Sequence, residues 1–164
     1  MSVFEQHILD LATQVLAKAR AAGLKIATAE SCTGGLVAAA LTEIPGSSDV
    51  FERGLVAYTN EAKVQLLGVD ESLIARHGAV SQEVAQAMAM GALAHAPAQI
   101  SVAVTGIAGP SGGTPTKPVG LVHIAAARQN RTPLHRECRF GDIRRDAVRM
   151  KSVEAALNQL LLVL

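Results

Sequence analysis

Apolar positions recur every three or four residues along the start of the chain, and this spacing predicts an amphipathic helix over residues 4–22. Gly23 follows the helix and is expected to end it in the left-handed conformation that glycine adopts readily. The apolar stripe that would face the core contains Phe4, Ile8, Leu11, Val15 and Ala19.

The rest of the chain alternates between short apolar runs and helical patterns. Strands are predicted at 24–30, 50–59, 99–105, 119–127 and 134–140. Helices are predicted at about 34–43, 60–67, 70–77, 81–96 and 142–164, with caps at Thr33, Asn60, Ser81 and Asp142.

This order of elements indicates the fold class. Alternation over the first two thirds favours a sheet with helices on both faces, and the late pair of strands favours a mixed sheet. The chain is therefore predicted to be α/β, a single-domain three-layer α/β/α sandwich with a mixed, mostly parallel sheet. Its 164 residues are the usual size of one domain, so a single domain is expected over 1–164.

Composition and charge exclude several kinds of protein. The net charge of +1 and an aromatic content of 2% disfavour nucleic-acid binding, which uses basic surfaces and stacking rings. No apolar run approaches the ~20 residues of a membrane span, and no basic region followed by an apolar stretch suggests a signal peptide. We therefore expect a cytoplasmic protein with no membrane partner, whose two cysteines are free thiols.

The first candidate for chemistry is the serine turn, residues 31–35, where a predicted strand passes directly into a helix. A sharp strand-to-helix turn exposes the side chain at its apex and points free helix N–H groups toward the same place. That arrangement suits a nucleophile with an oxyanion hole, or a phosphate cradle. An ordinary capped helix with closely packed glycines explains the same residues equally well.

The second candidate is the glycine loop, residues 106–118, which follows the most apolar predicted strand. It contains four glycines and three prolines but matches neither common phosphate-binding fingerprint. Successive backbone N–H groups of such loops bind anions, and ligands of open α/β sheets lie at the carboxyl ends of strands. A flexible loop without a function is the alternative.

Two further segments carry charged residues at helix starts. Lys63 lies one turn into a short helix after Tyr58, where the positive helix end is expected to lower its pKa and to favour a general base. Arg144 and Arg145 lie at the start of the last helix, where they either bind an anion or pair with neighbouring carboxylates. The histidines and cysteines show no spacing typical of metal ligands, so no metal site is predicted.

Taken together, these segments resemble the CinA C-terminal domain family and, within it, the stand-alone nicotinamide-nucleotide amidases. The resemblance extends over nearly the whole chain, with the motifs in the family's order. The motifs are AESCTGG (29–35), PGSS (45–48), FERG (51–54), YTNEAK (58–63), HGAVS (77–81), TGIAGP (105–110), GG (112–113) with KPVG (117–120), and GDIRRDAVR (141–149).

The resemblance implies an activity: hydrolysis of nicotinamide mononucleotide to nicotinate mononucleotide and ammonia, in bacterial pyridine-nucleotide salvage. It implies a serine–lysine mechanism, an α/β/α fold, no metal or organic cofactor, and a homo-oligomer. Ser111 stands where many members carry Asp, and 112–118 (GGTPTKP) is richer in proline and less acidic than usual. These differences bear on the affinity and mobility of the glycine loop rather than on the reaction.

Carried over residue by residue, the resemblance makes Ser31 the preferred nucleophile, Lys63 its base and Tyr58 a proton relay or amide-binding group. Ser48 stays open as a second nucleophile or relay. Arg145, or Arg144 beside it, is expected to hold the 5′-phosphate. The remaining expected substrate-binding residues are Cys32, Thr33, Gly34, Gly35, Asn60, Thr105, Gly106, Gly109, Gly112 and Gly113.

Two alternatives remain at this point. Cys32 could act as the nucleophile, because a thiolate at a helix N-terminus has a lowered pKa. The chain could instead be a non-catalytic nucleotide-binding module of the same family, although such a module has no use for Lys63. DNA handling is disfavoured by the composition.

Overall fold

The structure is a computed structural model that describes every residue from Met1 to Leu164. Five strands are present: β1 (Ile26–Glu30), β2 (Phe51–Val56), β3 (Ile100–Gly106), β4 (Leu121–Arg128) and β5 (Leu134–Arg139). The six helices are α1 (Gln6–Ala22), α2 (Leu36–Thr42), α3 (Asn60–Leu67), α4 (Glu71–His77), α5 (Gln82–Ala94) and α6 (Arg145–Val163), and a short 3₁₀ helix covers Ser47–Asp49.

The five strands form one sheet in the order β2-β1-β3-β4-β5. Strands β2, β1 and β3 are parallel neighbours, whereas β4 is antiparallel to both β3 and β5. Four of the five strands therefore run in the same direction, and the predicted mixed, mostly parallel sheet is confirmed. The carboxyl ends of β1, β2 and β3 meet at one edge of this sheet.

Helices cover both faces of the sheet, which confirms the predicted three layers. Helices α1, α2 and α6 pack on one face around aliphatic residues such as Ile26, Val102 and Ile124. Helices α3, α4 and α5 pack on the other face, where the alternate strand positions are alanines, among them Ala103 and Ala125. The small alanine side chains let α5 lie close to the sheet. No helix combines the length and the hydropathy that crossing a bilayer requires.

The predicted helix ends are confirmed at two places. Gly23 ends α1 with φ of 67°, in the left-handed region. Ser81 caps α5, because its hydroxyl accepts a hydrogen bond from the Val84 N–H at 3.3 Å. Both ends follow local rules of backbone geometry that are visible in the sequence.

The other three predicted caps are wrong. Thr59 instead of Asn60 caps α3, accepting a hydrogen bond from the Ala62 N–H at 3.0 Å, because Asn60 already lies inside the helix. Asp142 caps nothing, since α6 begins only after Arg144, whose φ of 82° breaks the helical path.

Thr33 makes no capping contact, because α2 begins two residues later than predicted, after Gly35. The Thr33 hydroxyl is buried without a hydrogen-bond partner. A different side chain, described below, satisfies the first N–H groups of α2.

Candidate active site

An open cleft of about 220 Å³ lies at the edge of the sheet where β1, β2 and β3 end. This is where open α/β sheets bind ligands, because loops from neighbouring parallel strands diverge there. The segment before α5 and the first residue of α6 complete the walls. The lining residues are Ser31, Cys32, Tyr58, Asn60, Lys63, Ala79, Val80, Thr105, Gly106, Ala108 and Arg145.

Ser31 is the first residue after β1, and its backbone extends the pairing between β1 and β3. The Ser31 N–H donates to the Val104 carbonyl at 2.9 Å, which holds the residue at the carboxyl end of β1, beside β3. Its hydroxyl oxygen lies 3.1 Å from the amine of Lys63 and 3.5 Å from the carbonyl of Tyr58. Ser31 is buried except for the part that faces the cleft.

Lys63 lies in the first turn of α3 and is only 2% exposed, which is rare for a lysine. Its amine donates to the Ser31 hydroxyl and, at 3.2 Å, to the Tyr58 carbonyl. Burial lowers the pKa of the Lys63 amine, because a desolvated ammonium is disfavoured, and no carboxylate offsets this. The lowered pKa was predicted from the helix end, whereas the structure assigns it first to burial.

Tyr58 and Arg145 span the cleft beside this pair. Tyr58 is 56% exposed, and its hydroxyl accepts a hydrogen bond from Arg145 Nη2 at 2.9 Å. Arg145 Nη1 donates to the Gly109 carbonyl at 2.8 Å. The guanidinium therefore links the end of β2, the glycine loop and the start of α6.

Arg144 is not part of this arrangement, although it was an alternative to Arg145. Its side chain is 82% exposed and pairs with Asp146 at 3.0 Å. Arg144 has a φ of 82° and lies just before α6, whereas Arg145 is the first residue of the helix. The two neighbouring side chains therefore point in different directions. The interpretation in which arginine pairs with a nearby carboxylate thus holds for Arg144, and the structure brings only Arg145 to the cleft.

The backbone N–H groups of the serine turn divide into engaged and free donors. Those of Ser31 and Gly34 are engaged, the latter donating to the Ser31 carbonyl at 2.9 Å. The N–H groups of Cys32, Thr33 and Gly35 make no hydrogen bond to another residue. Cys32 is the one of these three whose residue lines the cleft. Buried donors are normally paired, so a free one beside a serine hydroxyl is notable.

Two charged side chains that were not predicted contact the backbone of the serine turn and of the helix that follows it. Glu30 is 1% exposed, and its carboxylate accepts hydrogen bonds from the N–H groups of Val37 and Ala38 at 2.8 and 3.1 Å. Glu30 therefore caps α2 in place of Thr33. The sequence signal was an acidic residue at the end of an apolar strand with no basic neighbour.

Arg149 is the second of these side chains, and it reaches the turn from α6. Its Nε donates to the Cys32 carbonyl at 3.1 Å and its Nη2 to the Thr33 carbonyl at 3.2 Å. The signal for it was its spacing, because residues 145 and 149 are four apart and share a helix face.

Cys32 does not have the thiolate character that the cysteine alternative requires. Burial raises the pKa of the Cys32 thiol to about 12, although Arg149 and Lys63 act in the opposite direction. The prediction of a lowered pKa is wrong because desolvation outweighs the helix end and the nearby cations. Cys32 is thus neutral near pH 7, and the structure disfavours it as the nucleophile.

Ser48 lies away from the other candidate catalytic residues. It is exposed in the 3₁₀ helix that precedes β2, whereas Tyr58 and Lys63 follow that strand. The length of β2 therefore separates Ser48 from the lysine, and Ser48 does not line the cleft. This corrects the expectation that it might relay protons with Lys63.

Only the beginning of the glycine loop lines the cleft. Gly106 and Ala108 do so, next to Thr105 of β3, whose hydroxyl donates to the Ala79 carbonyl at 2.9 Å. Gly109 is buried and contacts Arg145, but Gly112 and Gly113 lie in an exposed stretch outside the cleft. The structure does not bring those two glycines to the other site residues.

Asn60 lines the cleft from the start of α3. Gly34 and Gly35 belong to the serine turn but do not line the cleft, and their φ values of 58° and 102° disfavour other residues. No group of three or more His, Cys, Asp or Glu side chains is arranged to hold a metal ion. The His123 and His135 rings contact each other at 2.8 Å but lie outside this cleft.

Comparison with known proteins finds relatives over nearly the whole chain. The profile of the CinA C-terminal domain family matches residues 8–164. Nicotinamide-nucleotide amidohydrolase PncC of Escherichia coli (strain K12) is 48% identical over 157 residues, 95% of this chain and 94% of that protein. A CinA-like protein of Anaeromyxobacter dehalogenans (strain 2CP-C) is 49% identical over 99% of this chain, which spans 39% of that longer protein.

Solved structures agree with these sequence matches. The crystal structure of competence/damage inducible protein CihA from Agrobacterium tumefaciens superposes with a TM-score of 0.97 at 50% identity, covering 99% of both chains. A competence-damaged protein (CinA) superfamily protein from Escherichia coli superposes with a TM-score of 0.91 at 33% identity, covering 99% of this chain and 95% of that one. The fold is thus shared over the whole length.

Proposed function

From the premise that the chain belongs to the CinA C-terminal domain family, as its motifs predict, we propose that it is a nicotinamide-nucleotide amidase. The proposed reaction converts nicotinamide mononucleotide and water into nicotinate mononucleotide and ammonia. The amidohydrolase PncC, which matches this chain over nearly its full length, supports the substrate class.

One observation supports the proposed mechanism above the others: a buried lysine amine lies 3.1 Å from a serine hydroxyl in an open cleft. A serine is a weak nucleophile until a base takes its proton. Lys63 has a lowered pKa and no carboxylate partner, so more of it is neutral than of an exposed lysine, and the neutral amine can act as that base.

In the first half of the proposed reaction, Ser31 Oγ attacks the carboxamide carbon while its proton moves to Lys63 Nζ. The free Cys32 N–H is the proposed donor to the oxyanion of the tetrahedral intermediate. The carbon–nitrogen bond then breaks, the Lys63 ammonium protonates the leaving nitrogen, and ammonia departs. An ester between Ser31 and the nicotinoyl group remains.

In the second half, a water molecule attacks the ester carbon and gives a proton to Lys63. The bond to Ser31 Oγ breaks, and the serine recovers its proton from Lys63. Nicotinate mononucleotide leaves as the carboxylate. The same lysine therefore acts as base and then as acid in each half-reaction.

Arg145 is the proposed ligand of the 5′-phosphate, because a guanidinium binds phosphate through parallel hydrogen bonds. The cleft contains the guanidinium of Arg145 and no carboxylate, which supports an anionic substrate. Tyr58 and Asn60, together with the backbone at Thr105, Gly106 and Gly109, are the remaining proposed substrate contacts. The roles of Gly112 and Gly113 are not supported by their position.

The proposed setting is pyridine-nucleotide salvage in the cytoplasm, by a single-domain protein over residues 1–164 that forms a homo-oligomer. The proposed reaction uses no metal or organic cofactor. Light scattering of the purified protein tests the oligomeric state, since a mass near 17.0 kDa would contradict it.

The decisive experiment is to measure ammonia release from nicotinamide mononucleotide by purified protein in the presence of EDTA. Activity is expected under these conditions, and loss that is restored by added metal would contradict the metal-free mechanism. Binding of the mononucleotide without ammonia release would support the alternative of a non-catalytic module.

Three alanine variants distinguish the candidate nucleophiles. Ser31→Ala is expected to abolish measurable turnover, whereas the matched serine variant Ser48→Ala retains it because Ser48 lies outside the cleft. Cys32→Ala is also expected to retain most activity, since its thiol is protonated near pH 7. An inactive Ser48 variant together with an active Ser31 variant would show that Ser48, and not Ser31, is the nucleophile.

A further inference from the structure

Arg149 contacts the serine turn but does not line the cleft, so the proposed reaction leaves its purpose unassigned. It donates to two consecutive carbonyls of the turn, those of Cys32 and Thr33. Unlike Arg144, which pairs with Asp146, Arg149 forms no salt bridge, so its positive charge acts on the peptide groups themselves.

These contacts form the start of a chain of hydrogen-bonded peptide groups. Arg149 Nη2 donates to the Thr33 carbonyl, which belongs to the same peptide group as the Gly34 N–H. That N–H donates to the Ser31 carbonyl at 2.9 Å. The Ser31 carbonyl in turn shares a peptide group with the N–H of Cys32, which makes no hydrogen bond to another residue and belongs to a residue that lines the cleft.

Hydrogen bonds in series polarise one another, and estimates of the strengthening are about 10–30% per bond. A cation at the carbonyl end of the chain draws electron density toward itself through each peptide group. The N–H at the opposite end then becomes a stronger donor. Arg149 thereby supplies positive character to the Cys32 N–H without entering the cleft.

We propose that Arg149 is a positioning residue that polarises the Cys32 N–H and fixes its direction toward the oxyanion. This inference rests on the proposed amidase function. In this role Arg149 stabilises the transition state, in which negative charge develops on the carboxamide oxygen, and does not contribute to substrate binding.

The shape of the turn matches this role. Gly34 has a φ of 58°, and a Cβ built on it would lie 3.2 Å from Arg149 Nη2. A larger residue would press on the guanidinium, so glycine both permits the left-handed backbone and leaves space for the arginine. The planar guanidinium donates to two neighbouring carbonyls at once, which a lysine ammonium on its flexible stem does poorly.

The test compares steady-state hydrolysis of nicotinamide mononucleotide by wild type, Arg149→Met and Arg149→Lys. We expect Arg149→Met to lower kcat about 10–100-fold, somewhat less than the ~100–1000-fold effect of removing an oxyanion donor outright. KM should change less than about twofold, because ground-state binding is untouched. Arg149→Lys should recover part of kcat, since it restores the charge but only part of the geometry.

The matched control is Arg128→Met, because Arg128 also donates to a backbone carbonyl, that of Val163 at 2.9 Å, far from the cleft along α6. This variant should lose thermal stability but keep kcat. The pH at which kcat/KM is half-maximal should be the same in Arg149→Met and wild type, because Lys63 is unchanged. An unchanged kcat in Arg149→Met, or a loss shared by Arg128→Met at equal Tm, would overturn the proposal.

A second measurement separates this proposal from the proposed function. A fluorophosphonate reacts with an activated serine: the bond from Ser31 Oγ to phosphorus forms, the phosphorus–fluorine bond breaks, and the serine proton leaves with fluoride. Mass spectrometry of the intact protein measures the rate at which this adduct forms, and this measurement does not depend on whether the wild type releases ammonia. Slower labelling of Arg149→Met supports the proposal, and equal labelling contradicts it.

Discussion

The serine turn and the glycine loop follow neighbouring parallel strands and are both rich in glycine, yet the structure uses them differently. In the serine turn, Arg149 binds two backbone carbonyls, and Ser31 and Cys32 line the cleft. In the glycine loop, only the first residues, Gly106 and Ala108, line it, and the stretch from 111 to 116 is exposed.

The difference follows from the element that comes next. The serine turn leads directly into α2, which continues the chain without a reversal beside the cleft. The glycine loop leads into β4, which is antiparallel to β3, so the chain must reverse direction before it pairs again. Glycines after a strand therefore indicate a ligand site only when a helix begins immediately after them.

The largest effect is expected from removing the base beside the serine turn. Lys63→Met keeps the length of the side chain but removes the amine, and kcat should fall by about 1000-fold or more, as when a catalytic triad loses a member. Stopped assays of ammonia release measure the loss, with Tm measured in parallel. A variant within tenfold of wild type would remove Lys63 from the mechanism.

The next largest effect is expected from changing Arg145, the residue that contacts both the glycine loop and the cleft beside the serine turn. Arg145→Met removes the donors to Tyr58 and Gly109 and should raise KM for nicotinamide mononucleotide about 10–100-fold, as expected for a lost charge-assisted hydrogen bond to phosphate. The nucleoside that lacks the phosphate is the matched control, and its KM should not change. An equal increase for both substrates would contradict phosphate binding.

The pH dependence tests the burial of Lys63. The amine must be neutral to accept the serine proton, so kcat/KM should rise about tenfold per pH unit at low pH and level off above the pKa of Lys63. Burial lowers that pKa, so the plateau begins below the ordinary value of 10.5 for lysine. A pH profile that is still rising at pH 10.5 would contradict a depressed lysine.

Stability measurements probe how the serine turn is held. Glu30→Gln replaces a carboxylate that accepts from two helix N–H groups with a neutral amide, and the free energy of unfolding should fall by about 1–2 kcal/mol. Urea denaturation measures this change. Glu43→Gln, at the exposed end of the same helix, is the matched control and should shift stability by less than about 0.5 kcal/mol.

The smallest effect is expected in the outer part of the glycine loop. Ser111→Ala should leave kcat unchanged and alter KM less than about twofold, because Ser111 is exposed and does not line the cleft. A tenfold change in KM would show that the loop closes over the bound substrate. That result would bring the two regions closer in function than their structures suggest.

Much of the fold follows from local patterns. The apolar stripe of the first helix, the alternation of strands and helices, and the glycine and serine at helix ends all express rules that act within a few residues. The caps at Thr33 and Asp142 were wrong because a tertiary partner or an unusual backbone angle replaced the local rule. Glu30 caps α2 from seven residues away, a distance that no capping motif covers.

In the candidate site, too, the sequence predicts which residues take part, whereas the tertiary structure sets their orientation and burial. Ser31, Lys63 and Tyr58 were predicted, and the structure brings them together, but the direction of each side chain was not visible. Cys32 illustrates the limit: its position at a helix start predicts a lowered pKa, yet burial raises it, and burial depends on the whole fold. Arg144 and Arg145 are adjacent in sequence and differ in place because of one backbone angle.

The contact between Arg149 and Cys32 joins residues that are 117 positions apart. During synthesis the serine turn is made first, and at about 5–20 residues per second roughly 6–23 s pass before Arg149 is added. Until the last helix docks, the carbonyls of Cys32 and Thr33 lack their arginine donor and the cleft has no arginine. A nascent chain therefore carries its serine and lysine well before it carries a finished site, so activity begins with the folding of the final helix.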